Sequence, residues 1–130
     1  MANDAGKTYE LVMETDFAAA HRLREYSGKC EHLHGHNWKV QVRVRSPKLN
    51  SLGMVLDFKE LKDYVAKVLA DLDHRYLNED VAEFVSANPT TENLARYIYG
   101  RLQEQLPAPL RVREVFVWES ERCGACYREE

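Results

Sequence analysis

The chain has 130 residues, 45% of them hydrophobic and 30% charged, and a formal net charge of −3. That is enough chain for one domain with a real core, and the mild acidity argues against a general nucleic-acid binder while leaving room for a local basic pocket. No apolar run approaches the roughly 18 residues of a membrane span, and Met1 to Lys7 is polar with no signal-like apolar stretch. The expectation is a cytoplasmic protein, a single domain over 1–130 with residues 1–7 flexible, and no membrane partner.

Tyr9, Leu11, Met13, Thr15 and Phe17 alternate with Glu10, Glu14 and Asp16, which predicts a first strand with one apolar face. If the strand runs on through Ala18-Ala19-Ala20, His21 shares the side of Phe17. Arg24 to Cys30 is polar and short enough for a hairpin-like return. Next comes the densest chemistry in the chain, Cys30-Glu31-His32-Leu33-His34-Gly35-His36-Asn37-Trp38, with three of the five histidines.

After it, Trp38, Val40, Val42 and Val44 alternate with Lys39, Gln41, Arg43 and Arg45, the cleanest strand pattern here. Extended backbone through Gly35 puts His34 and His36 on one face, while His32 has the opposite parity. Antiparallel pairing of the two strands brings His21 beside them. Three imidazoles converging in this way make the three-ligand arrangement of a catalytic zinc with one open position. An H-x-H pair alone is also what a solvated loop looks like, so the reading rests on the company these residues keep.

Ser46 to Gly53 carries turn chemistry and ends the strand pair. Asp57 with Glu60 signals a helix start, and Phe58, Leu61, Val65, Val68 and Leu72, widened by Tyr64 and Leu69, form its stripe. It should end near Asp71 to Asp73, leaving His74 just beyond, next to Asp73. Asn88-Pro89-Thr90-Thr91-Glu92 starts a second helix with threonine as cap, its buried face being Leu94, Ala95, Ile98, Leu102 and Leu106. Pro107 and Pro109 stop it. Leu110 to Glu119 is strand-like with less clean alternation, and a short strand follows near Ala125 to Arg128. Cys123-Gly124-Ala125-Cys126 invites a redox or zinc reading. It lacks both a helix N-terminus and a second such pair, so a tight hairpin turning at Gly124 is favoured.

The predicted order is strand, strand, helix, helix, strand, strand, an α+β domain whose two helices cover one face of the sheet. With these pieces in order, the sequence resembles the family of 6-pyruvoyl-tetrahydropterin and 6-carboxy-tetrahydropterin synthases. The resemblance is carried by Phe17-Ala18-Ala19-Ala20-His21-Arg22, Cys30-x3-His34-Gly35-His36-Asn37, Leu72-Asp73-His74, Pro89-Thr90-Thr91-Glu92-Asn93 and Trp118-Glu119-Ser120.

The resemblance implies the tunnelling fold, a four-stranded antiparallel sheet with two helices on one face. Sheets of several subunits join into a barrel, and trimers stack into a homohexamer with interfacial sites. It implies zinc (Zn2+) held by His21, His34 and His36, and 7,8-dihydroneopterin triphosphate as substrate. It further implies Cys30 as general base and Asp73 with His74 as a second acid–base element. Glu119 is implied as the carboxylate that grips the pterin edge, with Thr90, Thr91 and Glu92 as a further pterin-contacting segment. Arg22, Arg24, Lys29 and His32 are candidates for the triphosphate. Three residues between Cys30 and His34 resemble the 6-carboxy enzymes of queuosine (7-deazaguanine) biosynthesis, whereas the 6-pyruvoyl enzymes typically carry a longer insert there. The alternatives are the 6-pyruvoyl outcome, a non-catalytic zinc-stabilised oligomeric module, and a generic zinc hydrolase. The last is disfavoured because no helical His-Glu-x-x-His appears.

Overall fold

The architecture is taken from a computed structural model that describes residues 6–25 and 32–129. Two 13-residue strands, β1 (Tyr9–His21) and β2 (His34–Ser46), pair antiparallel over their full length, from Tyr9 opposite Ser46 to His21 opposite His34. Directly opposed residues share a face. One face therefore carries Phe17, Ala19, Trp38, Val40, Val42 and Val44, all buried.

The Ser46–Gly53 turn leads out of the strand pair into the first long helix. Asn50 Oδ1 accepts from Leu52 N and Met54 N, and Gly53 takes a φ of +81° that suits glycine. Helix α1 (Phe58–Ala70) starts where the cap predicts, with Asp57 Oδ1 accepting from Lys59 N at 2.7 Å. Leu61, Val65, Val68 and Leu69 face the core. Phe58, expected in the stripe, is 57% exposed because it sits in the first turn at the rim of the core.

Then come a two-residue strand, β3 (Arg75–Tyr76), and two single-turn helices, α2 (Leu77–Asp80) and α3 (Glu83–Ser86). Helix α4 (Thr91–Gln105) begins with Thr90 Oγ1 accepting from Asn93 N, and buries Leu94, Ala95, Ile98 and Leu102. Strands β4 (Arg111–Trp118) and β5 (Gly124–Tyr127) complete a sheet in the order β3-β1-β2-β4-β5. The four longer strands are antiparallel, as expected. The addition is β3, parallel to β1 at Ala19 and Ala20 only.

A bulge explains the ragged alternation of β4. The register shifts so that Arg43 faces Glu114 while Val44 faces Val112, leaving Arg113 as the extra residue. Val112 and Val115, three apart, are thereby both buried, and Arg113 and Glu114 stay on the polar side. There Arg43 meets Glu114 at 3.2 Å and Glu10 at 3.6 Å, Arg113 meets Glu10 at 3.7 Å, and Arg128 meets Glu114 at 3.5 Å. The face opposite the helices is thus charged and internally compensated.

The C-terminal hairpin turns at Ser120–Arg122, not at Gly124, with Glu119 N donating to Cys123 O. Gly124 already lies in β5 opposite Trp118. A Cβ there would stand 2.7 Å from the Trp118 ring, so glycine is required by close approach. Cys126, in β5, has its thiol pushed up chiefly by burial, the opposite of what a reactive cysteine needs.

Candidate metal centre

Everything that gathers at the end of the β1–β2 pair follows from strand parity. His21 closes β1 on the side of Phe17, His34 opens β2 directly across from it, and His36 stands opposite Ala19. The small side chain of Ala19 leaves room for the imidazoles to converge above it. Trp38 supplies the floor, its ring centre 4.9 Å from that of His21 and 5.1 Å from that of His36, while its indole N–H donates to Ala19 O.

Backbone carbonyls fix two of the rings. His21 Nδ1 lies 2.8 Å from Pro89 O, and His34 Nδ1 lies 2.7 Å from His32 O. A carbonyl only accepts, so each Nδ1 carries the proton and each Nε2 presents a lone pair. Those two Nε2 atoms face each other at 3.0 Å. Two bare lone pairs at that distance repel unless a proton or a metal cation lies between them. Burial, the largest influence, holds the His21 imidazole below its ordinary value, with the Pro89 carbonyl opposing. Protonation is the disfavoured remedy.

Glu119 completes the group. It keeps the parity of Val115 and Val117, and its Oε1 lies 2.9 Å from His36 Nε2 and 3.7 Å from His21 Nε2. Despite that short distance His36 Nε2 has no well-directed hydrogen bond, the one such buried side-chain polar atom among the described residues. Burial also lowers the affinity of His36 for a proton, with Glu119 acting against it. One donor atom from each of His21, His34, His36 and Glu119 lies within 4.8 Å of the other three. Four ligands at 2.0–2.1 Å in a tetrahedron stand about 3.3 Å apart, close to the spacings seen here. The residues fit a metal ion.

A brace built from the β3–α4 connection sets the Pro89 carbonyl in place. Asn78 and Asn88 each pair reciprocally with backbone after β1: Arg22 N and O with Asn78, Arg24 N and O with Asn88. The Arg24 guanidinium donates to the carbonyls of Ala87, Asn78 and Phe84. Arg24 is therefore engaged with backbone carbonyls. Residue-type reasoning missed this brace because its acceptors are main-chain oxygens, which leave no mark in a sequence. Glu119 joining the histidines was missed as well; the signal that could have found it is the alternation of Val115, Val117 and Glu119 onto one face.

The remaining candidates are more dispersed. Thr91 Oγ1 approaches Glu119 Oε2 at 3.4 Å, Thr90 caps α4, and Glu92 is exposed in its first turn. Asp73 Oδ1 accepts from Ala18 N at 2.9 Å and lies 3.0 Å from His74 Nδ1. The Ala18 amide is the main reason Asp73 holds its charge to lower pH than usual. His74 adopts a φ of +59° with its side chain 82% exposed, and its N–H donates to Ala18 O. Asp73 and His74 stand outside the four-residue group. His74 borders a cleft of about 560 Å³ together with Ala18, Ala20, Gly35, Asn37 and His36. Cys30 and Lys29 lie outside the described residues.

Comparison with known proteins supports the fold and identifies a family. A family model described as 6-pyruvoyl tetrahydropterin synthase matches residues 10–130. The chain is 38% identical over 131 residues to the 6-pyruvoyl tetrahydrobiopterin synthase of Drosophila melanogaster, covering 91% of this chain and 78% of that protein. It is 38% identical over 99 residues to the 6-carboxy-5,6,7,8-tetrahydropterin synthase of Synechocystis, covering 72% and 74%. The solved structure of Caenorhabditis elegans 6-pyruvoyl tetrahydropterin synthase superposes with a TM-score of 0.84 at 30% identity, over 95% of this chain and 96% of that one. With a matching family model over nearly its whole length and the tunnelling fold in its strands, the chain belongs to the 6-pyruvoyl tetrahydropterin synthase family.

Proposed function

We propose that the chain is a zinc-dependent 6-carboxy-5,6,7,8-tetrahydropterin synthase. It converts 7,8-dihydroneopterin triphosphate to 6-carboxy-tetrahydropterin with release of acetaldehyde and triphosphate, in queuosine (7-deazaguanine) biosynthesis. The observation that carries the metal-dependent reading is the facing pair of His21 and His34 Nε2 atoms at 3.0 Å, each ring with its other nitrogen on a carbonyl. Three imidazoles and a carboxylate are a donor set that suits zinc. When bound, zinc supplies Lewis acidity toward side-chain oxygens of the substrate, which acidifies the adjoining C–H.

The protein's own groups do the rest. His21, His34 and His36 hold the ion. Cys30, separated from His34 by three residues, takes the proton from the substrate side chain as thiolate. Asp73 orients the His74 ring through Nδ1, leaving Nε2 to give or take a proton. Glu119 accepts the parallel N–H donors of the pterin's 2-amino-pyrimidinone edge, beside the segment Thr90, Thr91 and Glu92. Within one chain Asp73 and His74 stand outside the group of four donors formed by His21, His34, His36 and Glu119. That separation supports a homohexamer, a dimer of trimers, in which sites form between subunits. The protein is read as cytoplasmic, and no helix among the described residues is long and apolar enough to cross a membrane.

The short Cys30–His34 spacing favours the 6-carboxy product. The second reading, the 6-pyruvoyl outcome, is supported by the relative of that name, which matches 91% of the chain at 38% identity against 72% at the same identity for the 6-carboxy relative. One assay separates them: zinc-loaded protein is incubated with 7,8-dihydroneopterin triphosphate, and acetaldehyde, triphosphate and pterins are quantified together. Stoichiometric acetaldehyde is expected. Triphosphate with 6-pyruvoyl-tetrahydropterin and no acetaldehyde selects the second reading, and no turnover selects a zinc-stabilised module. Cys30→Ala should abolish turnover and retain zinc; loss of both makes Cys30 a ligand or structural residue.

A further inference from the structure

Glu119 is asked to do two things that one carboxylate cannot do together. Accepting both N–H groups of a pterin edge requires both of its oxygens, directed at the ligand. In the structure Oε1 is instead turned into the histidine group, 2.9 Å from His36 Nε2 and 3.7 Å from His21 Nε2. It is poorly placed as the acceptor of an imidazole N–H, because His36 Nε2 has no well-directed hydrogen bond despite the short distance. Its spacing from the imidazole nitrogens is that of a fourth tetrahedral ligand.

Among the described residues no short, well-directed hydrogen bond pins it in that position. The side chain is 33% exposed, and Oε2 has only the long 3.4 Å approach of Thr91 Oγ1. Glu119 directly follows β4 and leads into the Ser120–Arg122 turn, where its backbone N–H is tied to Cys123 O. The main chain is anchored while the carboxylate has room to rotate.

We propose that Glu119 exchanges partners: it is the fourth protein ligand while the site holds no substrate, and it leaves the ion for the pterin edge when substrate enters. This rests on the pterin reading above. The exchange frees a coordination position only when the correct ring has been recognised. Glu119 is thereby a specificity-determining residue, and the empty site is closed to adventitious anions.

The test uses the full-length protein loaded with Co2+ in place of zinc, because the visible absorption of cobalt reports its ligand set. The probe is neopterin, an unreactive pterin whose own fluorescence reports its binding. Without neopterin, Glu119→Gln and Glu119→Ala should each change the cobalt spectrum. Each should also weaken Co2+ binding by at least the roughly 10–100-fold that loss of a supporting partner costs a metal site. Adding neopterin to the unsubstituted protein should move its spectrum away from the pterin-free form. Identical pterin-free spectra and Co2+ affinities for the three proteins overturn Glu119 as a ligand. Neopterin binding with no spectral change overturns the exchange, whereas failure of neopterin to bind at all overturns the pterin reading itself and the exchange with it.

Discussion

His21 and His34 stand directly opposite each other at the last pair of the β1–β2 ladder, with their Nε2 atoms 3.0 Å apart and both Nδ1 atoms committed to carbonyls. A strand pair ending on two opposed lone pairs is incomplete without a cation. The purified protein should therefore hold about one zinc per chain. At free zinc a hundredfold above Kd the ion should stabilise the fold by about 2.7 kcal/mol. Metal analysis and thermal unfolding with and without chelator check this, and His21→Ala should remove both the zinc and the stability difference.

The chelated protein should lose stability on mild acidification. Burial holds His21 and His36 below the ordinary 6.5, so the unfolded chain takes up protons on these rings at a pH where the folded one does not. The stabilisation they contribute is complete above about pH 6.5 and is lost as pH falls through their lower folded values. Urea midpoints of the chelated protein should fall from pH 7.5 to pH 5.5, and a variant with His21 and His36 both replaced by Gln should show a smaller fall. Equal falls would remove these rings as the cause.

Replacing Arg24 should be felt at the metal although Arg24 does not touch it. Its guanidinium ties three carbonyls of the β3–α4 connection, one of them Ala87, two residues before Pro89. Arg24→Ala should cost about 1.5–3 kcal/mol, as hydrogen bonds to a charged group do. It should also weaken zinc binding by about 10–100-fold through the Pro89 carbonyl. Arg24→Lys should not rescue, because an ammonium lacks the planar fork. Denaturant titration and competition with a chromophoric chelator read the two effects separately.

Gly124→Ala should destabilise by about 1–3 kcal/mol, the range for overpacking. The added carbon would meet the Trp118 ring at 2.7 Å and Val117 O at 2.8 Å. Equilibrium unfolding measures it, and a neutral result would mean that β5 shifts freely against β4.

The long β1 and β2 strands and the starts of α1 and α4 were legible because each rests on a local rule. Strict alternation predicts the strands, while Asp57 and Thr90 mark the helix starts by their capping oxygens. The convergence of His21, His34 and His36 was legible from parity together with antiparallel pairing of the two strands. Other features needed tertiary information. Strand β3 exists only because Arg75 and Tyr76 lie against Ala19 and Ala20, and α2 and α3 are too short to show a period. The β4 alternation was blurred by the extra residue at Arg113. Glu119 was read as a pterin anchor and not also as a neighbour of His36, since the chemistry of a carboxylate does not say which of two partners it faces.

Trp38 packs fully buried against the rings of both His21 and His36, whereas the other tryptophan, Trp118, lies on the opposite face of the sheet stacked on Phe116. An indole in van der Waals range of two imidazoles is quenched according to their charge and rigidity. The protein thus contains its own optical gauge of occupancy. With Trp118→Phe leaving Trp38 as the sole indole, emission intensity alone would follow ion loading in real time, without any added dye.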